Sequence, residues 1–261
     1  MSGPLDRSRL ERPGAVIAHT VEVKETTGST NDDATRLASA GASHGTVVIS
    51  ERQESGRGRL GRSWHSPVGL GLLMSVVLRD GLPKHPGLIT LSAGVAVARG
   101  IERESGLPAK IKWPNDVRLN GRKTAGILAE AADNMSYIIL GMGINVNHER
   151  AALPDEIKDI ATSIREESGR EFDRHQVFSA VMEELERALE TAAKDGWRLI
   201  EEWLSLSEAS GKMVRAETPG GVIEGVVRGV REDGALLLDV AGQERAIVAG
   251  DVHLLEGAEA D

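Results

Sequence analysis

The chain of 261 residues contains no cysteine. That excludes disulfides, thiolate metal sites and a cysteine nucleophile, and it suits a reducing compartment, so a cytoplasmic location is expected. The seven histidines are scattered at positions 19, 44, 65, 85, 148, 175 and 253, with no HxxxH or HExxH spacing, which argues against a structural zinc. No apolar run approaches the roughly 18 residues of a membrane span, and no signal-peptide pattern opens the sequence. Positive charge is also in short supply: Lys+Arg number 31 against 40 Asp+Glu, a net charge of −9, unlike the basic face of a duplex-DNA binder. What is present, 27% charged and 40% hydrophobic residues, is ordinary for a soluble globular protein. The length suits one large and one small domain.

The basic residues are concentrated in two places, 52–62 and 110–123. The first belongs to the stretch Glu51–Ser66 (ERQESGRGRLGRSWHS), in which Gly56, Gly58 and Gly61 alternate with Arg57, Arg59 and Arg62. Glycine lets a backbone approach a ligand closely, and guanidiniums grip phosphate or carboxylate bidentately. If the loop is extended, Arg57 and Arg59 project to the same side. The spacing is not a P-loop, because Arg62 stands where Lys is needed and Pro67 and Gly69 oppose a following helix. Nor is it a repeated RNA-binding Arg-Gly segment, since it occurs once. A solvated surface loop remains the alternative.

Along the chain, residues 1–19 are polar and broken by Pro4 and Pro13, and are expected to form a disordered tail. Thr20–Thr26 alternates as a strand, and Ser29, Thr30 or Asn31 then cap a helix favoured by Asp32 and Asp33 and closed at Gly41. Strands are expected at Thr46–Ser50 and Leu70–Leu78, and a helix over Leu88–Glu104 after Pro86. Asn120-Gly121 between two strand-like runs marks a hairpin, which brings Asp116 and Lys123 to one sheet region. A lysine beside the apolar run 125–129 costs stability if buried and unpaired, although a solvent-facing position is equally open. Ser136–Leu140 is a further strand running into Gly141-Met-Gly143, where the backbone is expected to pass close to a ligand. Amphipathic helices cover 174–193 and about 197–206. From Gly211 the pattern changes to short strands with turn signals, a β-barrel too small to be stable unless docked.

In order, Ser29-Thr30-Asn31, Gly56-Arg-Gly-Arg-Leu-Gly-Arg62, Lys112-Trp-Pro-Asn-Asp116, Lys123-x-x-Gly-Ile-Leu128 and Gly141-x-Gly-Ile-Asn145 closely resemble the signatures of the biotin protein ligases. The resemblance implies a mixed-sheet α/β (α+β) catalytic domain over 20–210, an SH3-like barrel over 211–256 and a tail at 257–261. It implies ATP-dependent biotinylation of a lysine on a biotin carboxyl carrier domain of acetyl-CoA carboxylase or a related carboxylase. Biotinyl-5′-AMP is the intermediate, and pyrophosphate and then AMP are released.

By the same resemblance Lys123 bridges the biotin carboxylate and the ATP α-phosphate, and Arg57 and Arg59 belong to a loop that closes over both. Ser29, Thr30, Asn31, Gln53, Gly56, Gly58, Gly126, Gly141 and Gly143 are implied to surround biotin, together with Arg57, Arg59 and Lys123. Arg59, Arg62, Trp64, Lys112, Asn115, Lys123, Ile144 and Asn145 are implied to surround the nucleotide, with Trp64 packing on the adenine side. Asp116 is implied to be catalytic, with three roles open: holding Mg²⁺, orienting Lys112, or accepting a proton. No other protein ligand to Mg²⁺ is expected, the ion arriving with ATP. Only about 20 residues precede the first strand, fewer than the ~50 of a domain, so no DNA-binding activity is expected. Membrane association is not expected either. A homodimer built by sheet extension is compatible with the resemblance, and of the barrel's end only His253 could offer a basic contact to nucleotide. A lipoate ligase or octanoyltransferase and a non-catalytic biotin sensor are the rivals; the Arg-Gly loop with Lys-Trp-Pro-Asn-Asp opposes the first, and retention of Lys123 opposes the second.

Overall fold

The computed structural model describes residues 3–133 and 135–255. Its N-terminal part overturns the expectation of a disordered tail. A short helix α1 (Arg7–Leu10) and the segment after it bury Leu5, Leu10, Ile17 and Ala18 in the main core. The apolar residues here are too widely spaced to show a period, and tertiary pairing supplies the order instead. Arg174, with 1% of its side chain exposed, forks onto Glu51 at 2.6 and 3.0 Å and also donates to the Gly3 carbonyl. The Asp6 amide donates to His175 Nε2 at 2.9 Å, and Arg9 pairs with Asp173.

The strands and helices then follow in chain order: β1 (Val21–Thr27), α2 (Thr30–Ser39), β2 (Val47–Gln53), β3 (Gly71–Leu78), α3 (Gly87–Ser105), β4 (Ala109–Lys112), β5 (Asp116–Leu119), β6 (Arg122–Ala131) and β7 (Ile138–Asn145). The seven strands form one mixed sheet in the order β1-β2-β3-β7-β6-β5-β4, parallel only between β1 and β2. Helices α4 (Ile164–Ser168), α5 (Arg174–Lys194) and α6 (Gly196–Leu206) complete this part, α5 and α6 packing with α3. Gly100 in α3 permits that packing, since a Cβ there would stand 2.7 Å from Val181.

The period of two along the strands separates the sheet faces. Leu72, Met74 and Val76 of β3, Leu140, Met142 and Ile144 of β7, and Ala125 and Ile127 of β6 belong to the core shared with α3 and α5. The intervening residues Val77 and Ile139 pack with Ala34 and Ala38 of α2 on the other face. Helix α2 covers only one end of that face. Beyond it lie Ser75, Gly141, Gly143 and Gly126, and there the sheet is the floor of a cleft.

The C-terminal strands β8 (Met213–Thr218), β9 (Gly221–Val230), β10 (Leu236–Val240), β11 (Gln243–Ile247) and β12 (Asp251–Leu254) form the antiparallel sheet β11-β10-β9-β8-β12 of the small SH3-like domain. Its Val214, Val227, Leu236 and Leu238 are continuous with the main core. Trp113 Nε1 donates to the Gly234 carbonyl at 3.0 Å across the junction. Gly87 and Gly234 meet so closely that a Cβ on Gly87 would fall 2.1 Å from the Asp233 carbonyl oxygen. The docking that so small a domain requires is therefore present. Residues 256–261, including the expected terminal tail, lie outside the described residues. Among the described residues no helix is long and apolar enough to cross a membrane.

Candidate active site

The floor is glycine because no side chain fits. A Cβ on Gly141 would stand 2.3 Å from Asn31 Oδ1, and one on Gly143 would stand 2.4 Å from the Trp64 ring. Gly126, opposite Gly143 in the β6/β7 ladder, is less tightly covered, with a Cβ there 2.8 Å from the Trp64 ring and 3.3 Å from Lys123 Nζ. Gly141 and Gly143 lie within β7 rather than after it, and the bare backbone they leave is covered by Asn31 and Trp64. Around them opens a cleft of about 460 Å³, within the size range of small-molecule sites.

At one end sits a polar cluster. Gln53 Oε1 accepts from the Thr30 amide and hydroxyl at 2.8 and 3.0 Å, and Ser75 Oγ lies within hydrogen-bond distance of Thr30 Oγ1 and Asn31 Oδ1, at 2.8 and 2.6 Å. Ser29 is the N-cap residue of α2 by position, yet its hydroxyl makes no capping bond and lines the cleft instead.

Lys123 occupies the middle. Its Nζ is 2.7 Å from Asp116 Oδ1 and 5.5 Å from the centre of the Trp64 ring. The irregular β5/β6 register brings them together, shifting between Val117 and Arg118. The Lys123 backbone is held from behind, its amide donating to Ile160 and its carbonyl accepting from Thr162. Asp116 is thus paired with Lys123, and Lys112 is paired elsewhere, with Asp251 Oδ1 at 2.8 Å.

The other end is cationic. Arg59 reaches inward toward Asn115 Oδ1 at 3.4 Å, and Arg62 lies 3.6 Å from Asp251. Burial lowers the Arg59 pKa, with the charges of Asp116 and Asp251 opposing the shift. Burial alone would raise the Asp251 carboxyl, but the Lys112 hydrogen bond and charge bring it below its ordinary value. Asn115 is pinned by two bonds to Ile127, and Asn145 donates to the Thr162 carbonyl at 2.9 Å. Asn145 Oδ1 and Trp64 Nε1 are buried here without a hydrogen-bond partner, groups that a ligand could satisfy.

Three expectations need correction. Arg57 and Arg59 do not project together, because the loop turns at Arg59–Gly61, with Leu60 and Gly61 both at positive φ. Arg57 still borders the cleft, but its side chain forks onto Asp32 instead of joining Arg59. Ile144 is a core residue on the opposite sheet face and does not line the cleft. Gly56 stands at the neck of the loop, where its carbonyl accepts from the Trp64 amide at 2.9 Å. The remaining expected residues all border the cleft. The sequence reasoning missed Asp251, which the small domain contributes beside His253, and the wall formed by Leu153, Ile157 and Ile160.

The family model described as the biotin/lipoate A/B protein ligase family matches residues 23–145, and the biotin protein ligase C-terminal domain model matches 209–255. A bifunctional ligase/repressor BirA of Bacillus spizizenii is 40% identical over 232 residues, covering 87% of this chain and 71% of the relative. The chain belongs to the biotin protein ligase family. A Mycobacterium tuberculosis biotin–[acetyl-CoA-carboxylase] ligase is 36% identical, with 90% of this chain and 89% of that protein covered. The fold is that of the Aquifex aeolicus biotin protein ligase solved with biotin and ATP, with a TM-score of 0.79 and 30% identity over 90% of this chain and 98% of that one. The chain is a ligase by this membership.

Proposed function

We propose that the cleft joins biotin to ATP as biotinyl-5′-AMP and then passes the biotinyl group to a lysine of a carboxyl carrier domain. The observation that carries this reading is the position of Lys123, between a glycine-floored slot with polar groups at its far end and a cluster of cations. Two anions, a carboxylate and a triphosphate, have to meet for adenylation, and Lys123 with Arg59 offsets their repulsion where charge develops. One carboxylate oxygen attacks the α-phosphorus, the bond to the pyrophosphate oxygen breaks, and pyrophosphate leaves with both bonding electrons. The carrier lysine, as the neutral amine, attacks the acyl carbon; the bond from that carbon to the phosphate oxygen breaks, AMP departs with its electrons, and the nitrogen releases a proton to solvent as the amide forms.

Thr30, Gln53 and Ser29 suit the ureido ring of biotin, which both donates and accepts hydrogen bonds. Asn145 Oδ1 is an acceptor for an exocyclic amine of the base. Asp116 holds Lys123 in place. For Mg²⁺ the residues offer no cage: Asp116 and Asp251 are each taken by a lysine, and among the described residues no three acidic or histidine side chains group to hold a metal. Mg²⁺ then enters on the triphosphate oxygens.

The test is transfer of radiolabelled biotin to an acetyl-CoA carboxylase carrier domain, beside a carrier with its target lysine changed to arginine. Label on the first alone, with AMP release depending on the carrier and pyrophosphate release preceding it, is the expected result. Pyrophosphate release without label on any carrier would overturn the proposed acceptor.

A further inference from the structure

The two leading arginines of the loop have different surroundings. Arg59 reaches into the cleft, whereas Arg57 makes a bidentate fork to Asp32, at 2.6 and 2.8 Å. Its Nη2 also lies 3.7 Å from Glu130 Oε2. Asp32 belongs to the first turn of α2 and Glu130 to β6, so the contact joins the loop to two elements on the far side of the cleft's polar end. The same Glu130 oxygen accepts from Asn31 Nδ2 at 2.5 Å, and Asn31 Oδ1 sits against Gly141. A chain of contacts thus runs from the loop to the floor of the cleft.

We propose that Asp32 and Glu130 form a latch that holds the 56–64 loop closed through Arg57, retaining the adenylate until an acceptor arrives. The proposal rests on the adenylation chemistry given above. Both partners are positioning residues that do not touch the reacting atoms. Arg57 and Asp32 are both partly exposed, at 41% and 54%, which makes the fork weak by the standards of ion pairs. A device that opens in every catalytic cycle needs that weakness. The reactive mixed anhydride is destroyed by water, so even a modest bias toward closure preserves it.

The experiment loads the full-length enzyme with labelled biotin and ATP, removes pyrophosphate enzymatically, and follows escape of biotinyl-AMP without an acceptor. Asp32→Asn is expected to speed escape about fivefold, the factor equivalent to about 1 kcal/mol, while the rate of adenylate formation is unchanged. Asp32→Glu is expected to restore slow escape, since it keeps a carboxylate for Arg57. High salt is expected to speed escape from the wild type more than from Asp32→Asn, which keeps only the longer Glu130 contact, because screening weakens the pairs. Equal escape from wild type and Asp32→Asn at low salt would overturn the latch. Absence of any adenylate from the wild type would overturn the adenylation chemistry and the latch with it.

Discussion

Lys123 Nζ and Asp116 Oδ1 lie 2.7 Å apart at the centre of the cleft, joined by a register shift between the two strands that carry them. In the proposed reaction Asp116 positions the Lys123 side chain beside the glycine floor. Asp116→Ala frees a hydrogen bond to a charged group, worth about 1.5–3 kcal/mol. Adenylate formation is expected to fall roughly ten- to a hundredfold, measured in single-turnover quench experiments, while biotin binding measured by calorimetry is retained. Loss of binding with an unchanged chemical step would contradict this role.

Gly141→Ala tests the floor. The added methyl would enter the space of Asn31 Oδ1 and force that side chain off Ser75 and Glu130. Overpacking of this kind costs about 1–3 kcal/mol, so KM for biotin is expected to rise about five- to 150-fold with KM for ATP little changed. Steady-state kinetics with each substrate varied separates the two.

Leu10→Ala tests the N-terminal segment. Leu10 is fully buried, and truncating such a leucine costs about 2–5 kcal/mol. Urea denaturation is expected to show that loss. A disordered tail would give a change within about 0.5 kcal/mol.

His148 gives a pH dependence of known sign. It is buried, with Nε2 against Ser66 Oγ at 3.2 Å and Nδ1 unpartnered, and burial lowers its pKa from 6.5 to about 4, aided by His65. The folded state therefore resists protonation more than the unfolded chain does. Stability from this group is complete above pH 6.5 and falls as the pH drops toward 4, by roughly 3 kcal/mol in all. Comparing wild type with His148→Gln in urea between pH 7.5 and 4.5 isolates the contribution; parallel pH profiles would contradict it.

Much of the site was readable because its parts are local. Asn120-Gly121 announced the hairpin that pairs Asp116 with Lys123, and the Arg-Gly loop announced itself by composition. The period of two in β7 puts Ile144 and Gly143 on opposite sheet faces, so a motif that contains both cannot present both to the cleft. The rest depends on distant chain segments. Asp251 meets Lys112 only because the small domain docks, and Glu51 meets Arg174 across 123 residues. Arg57 parts from Arg59 because of a turn at Leu60, a residue type that carries no turn signal.

The most direct measurement is biotin-dependent exchange of labelled pyrophosphate into ATP, with wild type beside Lys123→Ala. Exchange with biotin and not with lipoate, reduced at least a hundredfold in the variant, about what loss of one charge-stabilising donor removes, is the expected result. Undiminished exchange in Lys123→Ala would contradict the role of Lys123. No exchange by the wild type despite biotin binding would contradict adenylation in this cleft altogether.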